Sequence, residues 1–206
     1  MKTKKYHQLT LLLAFLSTTT VATADTFSYT SISAEYQIFN SDVDDISEDL
    51  EGSGIVLNFS LNITSNFAII GGYGTGSADV TFGGTTVDAD INIGGIGALF
   101  HTPINQTTDF VAGIELIRNT VDLKVNGTSL PSEDADGNSI FVGIRSMVAD
   151  KVELNGSLGR TKIEDDSSTR ISFGALYYID KLFTLDAGYS FHSDGSTVSF
   201  GATKYF

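Results

Sequence analysis

From Phe27 to Phe206 the chain alternates with a period of two, the pattern of strands whose two faces meet different surroundings. Ile55, Leu57, Phe59, Leu61 and Ile63 alternate with Gly54, Val56, Asn58, Ser60 and Asn62. Ile171, Phe173, Ala175, Tyr177 and Ile179 alternate with Arg170, Ser172, Gly174, Leu176 and Tyr178, and Phe183 to Phe191 repeats the scheme against Thr184, Asp186, Gly188 and Ser190. One face is large and apolar; the other is small, polar or charged. Ten such segments are predicted, at about 28–39, 53–64, 67–78, 86–100, 109–123, 138–149, 151–163, 169–180, 182–193 and 196–206. No helical period, repeat unit or linker interrupts them.

The connections alternate as well. Short ones fall at Ser65-Asn66, Asp150 and Lys181, with a middling one from His101 to Thr108. Longer or more acidic ones are predicted near 40–52, 79–85, 124–137 and 164–168, followed by the tight Ser193-Asp194-Gly195. Strands of about 11 residues joined by short turns at one end and longer loops at the other are the pattern of a membrane-spanning β-barrel. A soluble barrel or sandwich also alternates, but its water-facing side carries Lys, Glu and Thr in quantity. Here the second face is mostly Gly, Ser, Asn and Thr, which suits a narrow polar interior. The expected fold is all-β: a closed antiparallel up-and-down transmembrane β-barrel of ten strands, with eight as the alternative. An even count brings both termini to one side of the membrane.

Composition adds a compartment. Lys2, Lys4 and Lys5, the apolar run Leu9 to Leu16 and the small-x-small Ala22-Thr23-Ala24 read as a cleaved signal peptide over 1–24, leaving 25–206 as the barrel domain. That stretch of eight residues, broken by Thr10, is too short for a helical span, which needs about 20. The remainder holds nine Lys and Arg against all 25 Asp and Glu, a net charge of −16. So acidic a chain lacks the basic face that nucleic acid requires. Zero Cys excludes disulfides and thiolate sites. No cofactor is implied.

The chain end narrows the class further. Val198, Phe200, Ala202 and Phe206 share one parity, with Tyr205 just before the end. This resembles the C-terminal signal by which bacterial outer-membrane barrels are recognised by their assembly machinery, with Lys204 interrupting the apolar parity. With the leader and the Gly-rich alternating strands, the whole mature chain resembles a small outer-membrane β-barrel of the OmpA/OmpX-like kind, a family whose barrels commonly have eight strands. The resemblance implies the outer membrane of a Gram-negative bacterium, periplasmic termini, a monomer, and Phe200, Tyr205 and Phe206 as the assembly signal. Aromatic residues on the apolar parity fall toward both predicted membrane interfaces: Phe67, Phe110, Tyr177, Phe183 and Phe206 at one, Tyr36, Tyr73, Tyr189 and Phe191 at the other.

Candidate chemistry is sparse. The inward parity holds Glu35, Glu115, Arg145, Glu153, Arg170 and Asp186. Buried charges must be paired or solvated, so a salt-bridged interior is expected. That interior is either ordinary filling of a small barrel or the lining of a narrow cation-preferring path. Clustered carboxylates in the longer loops (Asp42, Asp44 and Asp45; Asp134 and Asp136; Glu164, Asp165 and Asp166) have the chemistry for hard divalent cations, or simply keep loop tips soluble. Arg118, Arg160 and Lys162 lie on the outward parity near the outer rim, where cations meet lipopolysaccharide phosphates or snorkel. His192, Ser193 and Asp194 are adjacent, and neighbours on a strand point to opposite faces, so they form no ready relay. The function expected is non-enzymatic, structural or surface-interacting. A passive channel for small polar or cationic solutes is the alternative, and a lipid-A-modifying enzyme stands behind both.

Overall fold

The computed structural model describes residues 27–41, 50–82 and 84–206. The leader and the first acidic segment, with Asp42, Asp44 and Asp45, lie outside those residues. The strands in chain order are β1 (Ser31–Ser41), β2 (Leu50–Thr64), β3 (Phe67–Phe82), β4 (Thr85–Asn105), β5 (Thr108–Val125), β6 (Thr128–Ser129), β7 (Glu133–Ala149), β8 (Val152–Ile163), β9 (Asp166–Tyr178), β10 (Phe183–His192) and β11 (Gly195–Tyr205). Every long strand pairs antiparallel with its neighbours in sequence, and β1 pairs with β11 to close the ring. The two-residue β6 pairs only with the tip of β5. The result is a closed up-and-down barrel of ten strands, and the alternative of eight falls away.

The alternation read from sequence sorts side chains as a membrane barrel requires. On β1, Ser31, Ser33, Glu35, Gln37 and Phe39 are buried inside, while Ile32, Tyr36 and Ile38 are exposed outside. The outer band continues through Leu57 and Phe59, Ile114 and Leu116, Ile140 and Ile144, Phe173 and Leu185, all exposed. Large apolar side chains cover the lipid-facing surface, and small ones leave room within. Phe141 is accommodated inside because its ring lies over Gly113, where any Cβ would collide with it.

The ends differ. Chain termini and the turns Ser65-Asn66, Gln106-Thr107 and Asp150-Lys151 share one end, here the termini end; the opposite is the loop end. Register shifts at Asn62/Thr64, Pro103/Asn105 and Met147/Ala149 all lie at the termini end, each just before or after a turn. A bulge tolerates Pro103, which has no N–H to give the ladder.

Strand length is the main departure from the sequence reading. The segments 79–85 and 124–137 are expected as loops, yet β3 runs to Phe82, β4 begins at Thr85, β5 reaches Val125 and β7 begins at Glu133. Likewise 164–168 shrinks to a two-residue turn at Glu164-Asp165, with Glu164 at φ 52. β4 has 21 residues and β10 only 10. At about 3.3 Å per residue the first is about 70 Å long and the second about 33 Å. The barrel is therefore tall along β3, β4, β5 and β7 and low along β10, β11 and β1.

Face polarity inverts where the tall wall leaves the apolar band. Along β4 the outward side chains run Ile104, Phe100, Ala98 and Ile96, then become Asn92, Asp90 and Asp88. Over the same change the inward ones become Ile93, Ile91 and Ala89, all buried. β5 does the same, passing from outward Ile114 and Leu116 to outward Arg118, Thr120 and Asp122, with Val121 and Leu123 buried inside. Above that level the wall is built like a soluble sheet, apolar within and polar without.

Candidate functional site

Every charge on the inward parity enters the lumen. It has three layers. Nearest the termini, Arg145 and Glu153 lie diagonally across the β7–β8 pair, since Arg145 is opposite Asn155 and Glu153 opposite Met147. Their side chains are 0% exposed and meet in a two-pronged ion pair, Nε to Oε1 at 2.6 Å and Nη2 to Oε2 at 2.5 Å. The Tyr178 hydroxyl donates to Glu153 at 2.9 Å, and the Phe27 ring centroid lies 4.5 Å from the Arg145 guanidinium carbon. Asp186 accepts from Thr184 and Thr203, each at 2.6 Å. A buried charge held by a fork and further hydrogen bonds is tolerable where a lone one is not.

The segment before β1 closes this mouth. Phe27 and Tyr29 are buried, the Tyr29 hydroxyl donates to Asp109 at 3.3 Å, and its ring stacks on His101. Ser60 donates to the Tyr29 carbonyl at 3.0 Å, Ser28 to the Phe206 carbonyl at 3.0 Å, and the Phe206 amide to the Thr30 carbonyl at 3.0 Å. The first described residues are thus tied to both chain end and wall.

The middle layer is polar. Glu35 accepts from Asn58 at 3.3 Å and Gln37 at 3.4 Å. Arg170 is in electrostatic contact with Glu115 and Glu35. Toward the loop end the third layer is an apolar cluster in which Phe39, Leu50, Val80, Ile91, Val121 and Leu123 pack across the curved wall. The barrel interior is thus an ionic and aromatic layer, a polar layer and an apolar cap.

Sequence reasoning placed the six charges but missed the aromatic filling: Phe27, Tyr29, Phe39, Phe141, Tyr178 and Tyr205. Parity was the available signal. Phe39 continues the Ser31-Ser33-Glu35-Gln37 series and Tyr178 the Arg170-to-Leu176 series, so both belonged inside despite their size.

Residues 9–178 match the family model for the outer membrane protein beta-barrel domain. The chain belongs to that family. Its place is accordingly the outer membrane of a Gram-negative cell. Among solved structures, the transport unit of the autotransporter AIDA-I from Escherichia coli is similar with a TM-score of 0.59 and 11% identity, covering 97% of this chain and 95% of that one. The translocator domain of the autotransporter NalP from Neisseria meningitidis gives 0.55 at 11% identity, with 88% and 90% covered. An outer membrane channel from Pseudomonas putida F1 gives 0.52 at 10%, with 93% and 100% covered. Identities this low speak for a shared barrel fold alone. No curated protein sequence matches as a relative.

For an outer-membrane barrel the level of polarity inversion marks the edge of the bilayer, and the charged residues sort by it. Arg118 lies just above that edge, with Nη2 3.2 Å from Asp134 and Nε 3.8 Å from Asp136. Thr120 donates to Asp134 at 2.7 Å, and this bond, with Arg118, holds the Asp134 carboxyl below its ordinary range. Lys124 bridges to Asp90 at 2.7 Å, which raises the ammonium above its usual value. Of the carboxylates read as divalent-cation candidates, only Asp134, Asp136, Glu164, Asp165 and Asp166 fall among the described residues. Asp134 and Asp136 face Arg118, Glu164 and Asp165 occupy a tight turn and Asp166 opens β9, and no three carboxylates or imidazoles converge among the described residues.

Arg160 and Lys162 differ from those paired cations. They stand two apart on the outward face of β8, opposite Thr169 and Ser167 of β9 and opposite Ile140 and Asn138 of β7. With Asp165 they border an open depression in the rim, and Arg160 Nη2 donates to Ser167 at 2.8 Å. Of the remaining trio, Ser193 shares a hydrogen with Ser168 at 2.8 Å, Asp194 accepts from Ser168 at 3.1 Å, and His192 Nε2 lies 3.3 Å from Thr197. At the chain end Phe200 and Phe206 face outward, whereas Tyr205 is buried inside. Lys204, which interrupts the apolar parity, lies over the rings of Phe206 at 4.9 Å and Phe183 at 5.7 Å.

Proposed function

We propose that this chain is a non-enzymatic, monomeric outer-membrane barrel that presents its tall acidic wall to the cell exterior, with the termini end in the periplasm, in a structural or surface-interacting role. The observation that carries the reading is the occupied lumen. The Arg145–Glu153 fork and the Phe27-Tyr29 segment fill one mouth, and the apolar cluster around Phe39, Ile91 and Leu123 fills the other. Side chains bonded to one another leave the outer surface as the place where the molecule meets partners. Phe200, Tyr205 and Phe206 serve in this reading as the terminal segment read by the assembly machinery.

A narrow channel is the second reading, favoured by the polar layer of Glu35, Glu115 and Arg170 between the two plugs. Reconstitution in planar bilayers separates the two. The filled barrel is expected to give no reproducible unit conductance. A unit conductance that changes on Glu115→Gln would overturn the surface reading in favour of the channel.

A further inference from the structure

We propose that the rim depression on β7, β8 and β9 binds a phosphate group of an outer-leaflet glycolipid, the lipid A phosphate, through Arg160 and Lys162. The inference rests on the proposed orientation, which puts the loop end in the outer leaflet.

Four cations lie on the outward face at the loop end: Arg118, Lys124, Arg160 and Lys162. Two are consumed by carboxylates, Arg118 by Asp134 and Asp136 and Lys124 by Asp90. Arg160 is bonded to the Ser167 hydroxyl, and neither it nor Lys162 makes an ion pair among the described residues. Among the described residues two adjacent cations at one level are thus left without an ion pair. That level is the edge of the apolar band. On the same face Leu158 lies directly below Arg160 and Ile140 beside it, both exposed, while Asn138 and Ser167 flank Lys162 on either side.

The chemistry fits a phosphate at headgroup depth. Same-face neighbours two residues apart on a strand are about 7 Å apart, within reach of one phosphate for two long cationic side chains. A guanidinium offers a planar fork to phosphate oxygens and the ammonium a compact point charge. Ser167 fixes the guanidinium without neutralising it, and Asn138 and Ser167 add uncharged polar groups to the border. Asp165 closes the upper edge, and its carboxylate keeps an anionic group below it, beside Arg160. Ile140 gives the lower edge an apolar surface for an acyl chain.

The test is lipid retention by the intact barrel. Protein extracted in mild detergent is analysed by native mass spectrometry for bound lipid A, comparing wild type, the R160Q/K162Q double variant and K181Q from the opposite rim. The double variant is expected to retain about tenfold less lipid A, the loss of one to two charge-assisted bonds, with K181Q unchanged. Dephosphorylated lipid A added back should be retained poorly, and millimolar inorganic phosphate should not displace the native lipid. Equal retention by wild type and the double variant, or equal retention of the dephosphorylated lipid, would overturn the site, and so would displacement by free phosphate. Should the double variant fail its heat-dependent gel shift, K162Q alone carries the comparison, because Lys162 makes no side-chain bond among the described residues. Orientation is read separately from S129C, the only thiol in that variant, with an impermeant maleimide on intact cells. Labelling with unchanged retention sinks the site alone; no labelling sinks the orientation and the site with it.

Discussion

At the scale of the residue, the Arg145–Glu153 pair carries the sharpest energetic consequence. Both side chains are fully buried, so Glu153→Ala leaves a guanidinium inside the barrel without its ion-pair partner. Such a loss costs about 3–5 kcal/mol, whereas replacing both partners by apolar residues of similar volume is often near neutral. E153A is therefore expected to unfold at markedly lower urea than wild type, and R145M/E153L close to it, with the folded fraction followed by the heat-dependent gel shift. If E153A matches wild type, the pair is not the buried contact described. Asp134 makes a gentler prediction. Its carboxyl is depressed in the folded chain by Thr120 and Arg118, so its contribution is present above the ordinary aspartate range and is lost as pH falls through its lowered value. Being exposed, it anchors the β5–β7 junction only weakly and is screened by salt. Amide exchange there should quicken in acid in wild type and show a smaller response in D134N. An unchanged pH response in D134N would assign the effect to another group.

At the scale of the element, the inversion of face polarity places the bilayer edge and explains what the sequence hid. The strands were legible because Leu57-Phe59-Leu61 and its counterparts change surroundings at every residue. Their height was not. Along β4 the apolar positions are odd through Ile91 and Ile93, then even through Ile96, Ala98 and Phe100. Read as one pattern, the change of phase at Gly94-Gly95 looks like the end of a strand or noise in it. It marks instead one continuous strand passing from lipid, where the outer face must be apolar, into water, where the inner face must be. The polar stretch near 79–85 resembles a loop on the same ground, although Asn126-Gly127, at φ 48 and 77, shows how tight a turn suffices at the next hairpin. Arginine substitution tests the edge. Ile114→Arg, on the lipid-facing side of β5 within the apolar band, should cost about 2–4 kcal/mol, and Ser77→Arg, on the outward face above it, about 0–1. Bilayer refolding titrations give both numbers. Similar costs at the two sites would remove the boundary.

At the scale of the whole molecule, the lumen was legible only in part. Parity assigns Glu35, Glu115, Arg145, Glu153, Arg170 and Asp186 to the interior, but partnership depends on register and stagger, which no single strand reveals. The plug by Phe27 and Tyr29 was further from reach: they share the inward parity of Ser31 and Ser33, but they precede the first strand, and alternation alone does not say that such a segment folds across the mouth. The rim pair Arg160 and Lys162 was readable as outward cations; that carboxylates would claim Arg118 and spare these two was not.

The unequal heights of the strands give the barrel a front and a back. On the tall side Asp79 stands opposite Asp88, and Asp90 opposite Asp122, all facing away from the axis above the bilayer. Two copies approaching through their tall sides would bring like-charged panels together, while the low side offers little beyond lipid. In a crowded membrane such panels would disfavour the approach of like copies from that one bearing, a consequence of nothing beyond the length of four strands.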